Sequence, residues 1–212
     1  MTLHLYDYFR SSAGYRVRIA LGLKGVAYTR EDVMLVDNEQ RSPDHLARNP
    51  QGLVPVLDTG VAMLSQSLAI IDWIEAKYPN PALLPAEPTA RARVLAQVYA
   101  IACDIHPIDN LRVLRYLERD LGVEKAARDD WYRHWVVQGF DALEKTVGDG
   151  PFLGGDAPNL ADVCLVPQMF NARRFDVPLD AYPGLVRADA AASELDAFAR
   201  AHPDRVKGVA SL

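Results

Sequence analysis

The stretch "PNPALLPAEP", residues 79–88, places four prolines in ten positions. Such a run holds neither a helix nor a central strand, because proline fixes φ and carries no backbone donor. It therefore reads as a linker, and it separates two segments of different character. On its N-terminal side, "LHLY" (3–6) reads as a strand. Residues 13–24 then carry Val17, Ala20, Leu21 and Leu23 at helical spacing, with Arg16, Arg18 and Lys24 on another side, and Gly25 stops that helix. "VAYTREDVML" (26–35) and "LVPVLD" (53–58) read as strands, with "NPQG" a turn between them. Thr59-Gly60 is expected as a two-residue turn leading into the partner strand "VAML". "SQSLAIIDWIEAKY" (65–78) is an amphipathic helix opened by serine. This βαβ-then-ββα order predicts a small α/β domain over residues 1–80.

Beyond the linker, taken as 81–88, the pattern changes. Residues 89–120, 123–147 and 159–174 keep helical spacing with almost no β alternation, which predicts an all-helical domain over 89–212. Asn159-Leu160-Ala161-Asp162 reads as a capping box with a structural role, starting the helix that carries Arg173 and Arg174. Pro107 is expected to kink the first long helix.

Half of the 212 residues are apolar, enough for a core in each domain. The net charge is −5 and no Lys/Arg block exceeds two residues, which argues against a nucleic-acid or anionic-membrane partner. No stretch approaches the roughly 20 apolar residues of a membrane span, and "MTLHLYDYFR" lacks the pattern of a secretory leader. Cys103 and Cys164 are far apart without CxxC spacing, which argues against a disulfide framework or a metal site and fits a reducing cytoplasm. Both are read as buried small side chains.

Three short stretches carry chemistry. In "YDYFRSSAGYRVRIAL" an arginine and two serines stand where a strand gives way to a helix, a position that suits a cap or an anion. Val54-Pro55 breaks a strand-like segment, which marks an edge or a special turn, with a cis bond as one form of it. The free N–H and C=O of Val54 then suit an extended ligand equally with no ligand. Gln66-Ser67 opens a helix and suits a carboxylate, although taken alone it reads as an ordinary cap.

Together these features resemble the cytosolic glutathione transferase fold, a thioredoxin-like α/β N-terminal domain followed by an all-α C-terminal domain. "YDYFRSSAGYRVRIALGLKG", "NPQGLVPVLD", "QSLAII", "LADVCLVPQ" and "NARRFDVPLDAYP" resemble the zeta class over nearly the whole chain. The resemblance implies a maleylacetoacetate or maleylpyruvate isomerase, with glutathione as a regenerated cofactor and a small dicarboxylate keto acid as substrate. It also implies a homodimer. Maleylpyruvate is preferred, as part of gentisate-type aromatic breakdown. Maleylacetoacetate isomerisation in tyrosine breakdown, or transfer and dehalogenation on small α-halo acids, are the alternatives.

The site residues follow from that resemblance. A free thiol has a pKa of about 8.5, and a helix N-terminus with hydroxyl donors lowers it. Ser11, the first serine of the signature, is assigned the sulfur, with Ser12 as cap or second donor. Gln66 and Ser67 are assigned the γ-glutamyl end of glutathione, the Val54 backbone its cysteinyl part, and Gln40 and Gln51 its glycyl end. His106 is assigned a glutathione contact, with a helix histidine at an interface as the other reading. Arg10, Arg112 and Arg174 are assigned the substrate carboxylates and the developing charge, because arginine binds carboxylate through two parallel N–H bonds. Arg173 is expected to face away. The signature carries a cysteine where this chain has Ala13; since the reacting thiol is that of glutathione, activity does not require it. No metal is expected.

Overall fold

The computed structural model describes residues 2–210. Its contacts divide the chain into two units, one reaching to Ala82 and rejoined by the chain from Glu194 onward, the other Leu83–Ser193.

The first unit starts with β1 (Leu3–Asp7), whose alternation puts Leu3, Leu5 and Asp7 on the buried side. α1 (Ser12–Leu23) follows, capped by Ser11, and Gly25 ends it at φ 63°, a left-handed position that glycine adopts without strain. β2 (Tyr28–Asp32) pairs in parallel with β1, Leu3 opposite Tyr28. Two 3₁₀ turns, Leu35–Asp37 and Glu39–Arg41, lead to α2 (Pro43–Arg48). β3 (Val56–Asp58) and β4 (Met63–Ser65) complete an antiparallel hairpin, and α3 (Ser67–Lys77) closes the layer. The sheet order is β2-β1-β3-β4, with β3 antiparallel to β1. Leu5, Val17, Ile19, Leu21, Leu57, Ile70 and Ile74 are fully buried in its core. Each such side chain contributes about 1.5–3 kcal/mol by leaving water.

Three local expectations shift. The third strand begins after Pro55, not at Leu53, because proline cannot donate to the ladder; the Val54-Pro55 bond is cis. The hairpin turn is longer than two residues. Thr59 N–H donates to Ala62 O (3.0 Å) and Thr59 Oγ1 accepts from Ala62 N–H (3.0 Å), so one side chain organises the whole loop. The basic residues of α1 do not form a solvated side: Arg16, Arg18 and Lys24 are all buried.

The second unit is all helical. α4 (Pro88–Tyr99) is capped by Glu87, whose carboxylate accepts from Thr89 and Ala90 N–H. It runs into a π-helical stretch, Ala100–Ile105, and a last turn, α5 (His106–Ile108). The single helix expected over 89–120 thus ends early, since Pro107 withholds a donor and Asn110 caps a new helix, α6 (Leu111–Arg119). α7 (Lys125–Glu144) passes close to the π-helical stretch. A Cβ on Gly139 would lie 2.2 Å from Ile105 Cδ1, so only glycine permits that approach. α8 (Leu160–Arg174) is buried along nearly its whole length and starts with the expected capping box. α9 (Pro183–Ser193) ends the unit.

The remaining chain, α10 (Asp196–Ala201) and α11 (Pro203–Val206), belongs to the first unit. The helical domain expected to run to residue 212 therefore stops at Ser193. The reason lies in the buried arginines of the α/β unit: Arg18 Nε donates to Ala201 O (3.0 Å), and Arg30 Nη1 donates to Val206 O (2.9 Å). No helix among the described residues is long and apolar enough to cross a membrane.

Candidate active site

β1 delivers the chain to the start of α1, and the turn Tyr8–Ser11 closes with Ser11 N–H donating to Tyr8 O (2.7 Å). Ser11 is extended and half-buried, and its Oγ accepts from Gly14 N–H (3.1 Å). A hydroxyl has one donor and two acceptor lone pairs, so the Ser11 O–H proton is still available to an anion after capping. Ser12 is the first helical residue and is buried. There is no acidic residue in the first turn, so the positive end of the helix is not neutralised from within.

Arg10 is exposed beside these serines. Its Nη2 donates to Tyr8 Oη (2.8 Å) and its guanidinium lies 5.2 Å from the centre of the Phe9 ring. The charge is thus held against aromatic surface and joins no ion pair among the described residues.

The glutamines converge. Gln66 Nε2 donates to Gln51 Oε1 (2.7 Å), joining the two loops that flank the β3–β4 hairpin. Gln66 has φ 69°, a left-handed position that is strained for glutamine, at the junction of β4 and α3. Its side chain does not cap α3 and is turned to Gln51 instead. Ser67 behind it is buried in the first turn. Gln40 is buried and its Oε1 has no hydrogen-bond partner. The Gln40 carbonyl oxygen lies 3.0 Å from where a Gly52 Cβ would stand, so this turn packs on the residue after Gln51. Val54 is half-buried and packs against Tyr8, Phe9 and Val206. Just before it, Leu53 O accepts from His45 Nε2 (3.0 Å) and Asn49 Nδ2 (2.8 Å), which fixes the segment while Val54 stays outside the ladder.

Of the residues predicted for this unit, Arg10, Ser11, Ser12 and Val54 thus gather around the β1–α1 turn, and Gln40, Gln51 and Gln66 around the hairpin. An orphaned buried amide oxygen, a strained glutamine and an uncharged helix start carrying a hydroxyl fit a peptide-like ligand with an anionic sulfur.

In the helical unit, His106 is half-buried in α5. Arg112 is exposed in the first turn of α6, whose cap Asn110 accepts from Arg112 N–H (3.0 Å). Arg112 joins no ion pair among the described residues. Asp109, the nearest candidate partner, is instead buried with neither carboxylate oxygen hydrogen-bonded, and burial alone pushes its pKa up to about 8. Arg174 ends α8, its Nη1 donating to Asn171 Oδ1 (3.4 Å) and its guanidinium 5.1 Å from the Phe175 ring centre. Arg173 is committed elsewhere, to Asp189 at 2.6 Å. The reading of both cysteines as buried holds for Cys164 only. Cys103 is exposed, because the π-helical stretch turns its side chain outward.

Two family models match the chain: the glutathione S-transferase N-terminal domain over residues 5–82 and the C-terminal domain over 125–201. Maleylacetoacetate isomerase of Rhizobium meliloti (strain 1021) is 51% identical over 206 residues, 96% of this chain and 97% of that one. This chain is a zeta-class glutathione S-transferase. A solved structure of a maleylpyruvate isomerase, described as a bacterial glutathione S-transferase in the zeta class, superposes on the transferase with a TM-score of 0.93. It is 48% identical and covers 95% of this chain and 97% of its own. A maleylacetoacetate isomerase from Anaeromyxobacter dehalogenans 2CP-1 was solved with dicarboxyethyl glutathione and citrate in its active site. It has a TM-score of 0.86, 45% identity, and coverage of 96% of this chain and 95% of its own.

The sequence had no signal for the supports of this site. Arg18 and Arg30 read as ordinary basic residues, and Val206 as part of a distant helical segment. Only the burial of Asp7 makes them visible.

Proposed function

We propose that this transferase is a glutathione-dependent cis–trans isomerase that converts maleylpyruvate to fumarylpyruvate, with maleylacetoacetate as the alternative substrate. Ser11 carries the reading: a half-buried cap hydroxyl that has accepted its bond from Gly14 and keeps a proton to donate at a helix N-terminus. Bound glutathione supplies a thiolate that adds to a conjugated double bond and leaves again after rotation.

The chain's own residues do the rest. Ser11 donates to the sulfur, and the positive end of α1 holds its charge, so the thiol ionises nearer neutral pH. The capping role expected of Ser12 falls to Ser11, and Ser12, the first helical residue, donates a second bond. Gln66 and Ser67 take the γ-glutamyl carboxylate and amine, Val54 pairs with the cysteinyl main chain, and Gln40 and Gln51 take the glycyl end. His106 makes a further glutathione contact. Arg10, Arg112 and Arg174 bind substrate carboxylates and stabilise the negative charge that develops on the substrate oxygen, commonly the largest catalytic effect. All three are exposed, whereas the guanidinium of neighbouring Arg173 is committed to Asp189.

The ligand in the Anaeromyxobacter relative supports a dianionic substrate. A dicarboxyethyl group on sulfur is what thiol addition across a butenedioate leaves behind. The preference for maleylpyruvate rests on Arg112, a cation suited to the closer carboxylate of the shorter keto acid.

Large apolar side chains left exposed at Val61, Met63 and Tyr99 support a homodimer, testable by sedimentation at micromolar concentration. Free thiols and a glutathione cofactor support a cytoplasmic setting in aromatic breakdown. The deciding experiment follows the absorbance of maleylpyruvate and of maleylacetoacetate with and without glutathione. Turnover that requires glutathione and has the higher kcat/KM on maleylpyruvate is expected. Halide release from a small α-halo acid without isomerisation of either substrate would overturn the assignment.

A further inference from the structure

Asp7 ends β1 fully buried, and Arg18 and Arg30, both buried, converge on it. Each arginine also reaches the closing segment. Arg18 spreads its guanidinium over three targets: Nη1 pairs with Asp7 Oδ2, Nη2 donates to Phe9 O (2.9 Å), and Nε donates to Ala201 O (3.0 Å). Arg30 reaches Asp7 Oδ2 (3.4 Å), Val206 O (2.9 Å) and Val209 O (3.2 Å), and its own N–H donates to Ala210 O (2.6 Å). Phe9 O is the last carbonyl before Arg10-Ser11-Ser12. One side chain, Arg18, therefore ties the serine turn to a carbonyl 183 residues beyond itself in the chain.

Two further contacts act on the same turn. Val206, fully buried, packs under Tyr8 and Phe9, with Val54 against the same cluster. Asp7 presses on the first turn of α1, since a Cβ on Gly14 would lie 2.6 Å from Asp7 Oδ1. Gly14 is the residue whose N–H donates to Ser11 Oγ. The turn is thus held at its carbonyl, under its aromatic rings and at its cap.

We propose that the closing segment 196–210, gripped by Arg18 and Arg30, positions the Phe9–Ser12 turn for thiolate stabilisation, and that Arg18 is a positioning residue for the reaction. The segment contributes backbone carbonyls and one valine, so it acts by geometry, without touching glutathione or substrate. The inference rests on the assignment of the thiolate to the start of α1. A hydrogen bond to a charge loses most of its strength when its donor is misdirected, so loosening the turn raises the pKa of the bound thiol.

The test uses the full-length protein with bound glutathione and reads the thiolate absorbance near 240 nm against pH, beside kcat, KM for glutathione and thermal unfolding. Val206→Ala removes the valine under the rings and leaves every arginine in place. The bound-thiol pKa is expected to rise by roughly 0.5–1, with activity at pH 6.5 falling about three- to ten-fold and recovering in alkali. KM for glutathione should barely change, because its γ-glutamyl end is assigned to Gln66 and Ser67 and its glycyl end to Gln40 and Gln51. Arg18→Lys keeps a cation for Asp7 but loses the three-way fork, and should shift the thiol in the same direction. Val206→Ile, which keeps a branched side chain under the rings, should leave the bound-thiol pKa close to the wild-type value. Ser11→Ala, measured alongside, separates the two readings. A shift in Ser11→Ala with none in Val206→Ala or Arg18→Lys overturns the positioning role alone, and the segment is then merely stabilising. No shift in any of the three overturns the thiolate assignment as well.

Discussion

Two capped helix starts in this transferase use the same local chemistry to opposite ends. At α8, Asn159 Oδ1 accepts from Ala161 N–H (2.7 Å), while Asp162 accepts from Asn159 N–H (2.9 Å) and from Leu153 N–H (2.7 Å). Asp162 is fully buried and both its oxygens are taken by backbone amides, so this helix end is closed. At α1, a single hydroxyl takes one amide, there is no acid in the first turn, and the cap is half-buried. That end keeps a donor and a positive potential for something outside the chain. A cap becomes a site when the chain declines to finish it.

The largest effect expected on this comparison comes from closing down the closed end. Asp162→Ala strands two amides that have no water to turn to, and should lower the free energy of unfolding by roughly 2–5 kcal/mol in urea titration. The bound-thiol pKa of the folded fraction should not move. A loss below about 1 kcal/mol would mean that α8 is held by packing and not by its box.

At the start of α6 the cap is Asn110 and the exposed cation Arg112 stands in the first turn. Arg112→Met keeps the stem and removes the charge, and should lower kcat/KM on the order of a hundredfold. The loss should be greater on maleylpyruvate than on maleylacetoacetate, with glutathione affinity little changed. Equal losses on both substrates would reduce Arg112 to a general electrostatic role and remove the support for maleylpyruvate.

Ser11→Ala removes the open donor itself. One hydrogen bond to a charge is worth about 1.5–3 kcal/mol, so turnover near neutral pH should fall roughly ten- to a hundred-fold, while losing the cap on Gly14 N–H lowers stability by about 0.5–2 kcal/mol and leaves the protein folded. Full activity in Ser11→Ala with loss in Ser12→Ala would exchange the roles of the two serines.

The smallest effect concerns Asp109, a buried acid beside the Asn110 cap that caps nothing. Its folded pKa of about 8 lies above its ordinary value of 3.8, so the folded state holds a proton that the unfolded chain releases. Stability should therefore fall as pH rises through that window. Asp109→Asn should flatten that slope and raise stability at pH 7 by roughly 1–3 kcal/mol relative to the parent, with little difference near pH 4. An unchanged slope in denaturation from pH 4 to 8 would mean that Asp109 is ionised and partnered in solution.

Local chemistry was readable from residues alone. The Asn159–Asp162 box, the Gly25 stop and the interruption at Pro55 each depend on neighbours within a few positions, where backbone geometry leaves few choices; the cap of α1, expected at Ser12, lies one residue earlier, at Ser11. The order of elements followed from the same short-range periodicities, and it sufficed for the α/β unit and the helical unit. The spacing set Arg16, Arg18 and Lys24 apart from the apolar side of α1 but did not say that they would be buried. Whether Arg18 faces water depends on Asp7, Phe9 and Ala201, and the last of these is 183 residues distant. The same holds for the closing helices, whose apolar spacing says that they bury a face but not against which unit. The bond between Gln66 and Gln51 likewise follows from how two loops meet. The sequence by itself determined the capping box of α8, the stop of α1 at Gly25 and the two unit types, because those are governed by bonds and spacings along the chain. Only the tertiary structure decided that the C-terminus would brace the serine turn. A buried arginine takes whichever acceptors the fold brings within about 3 Å, and nothing local selects them.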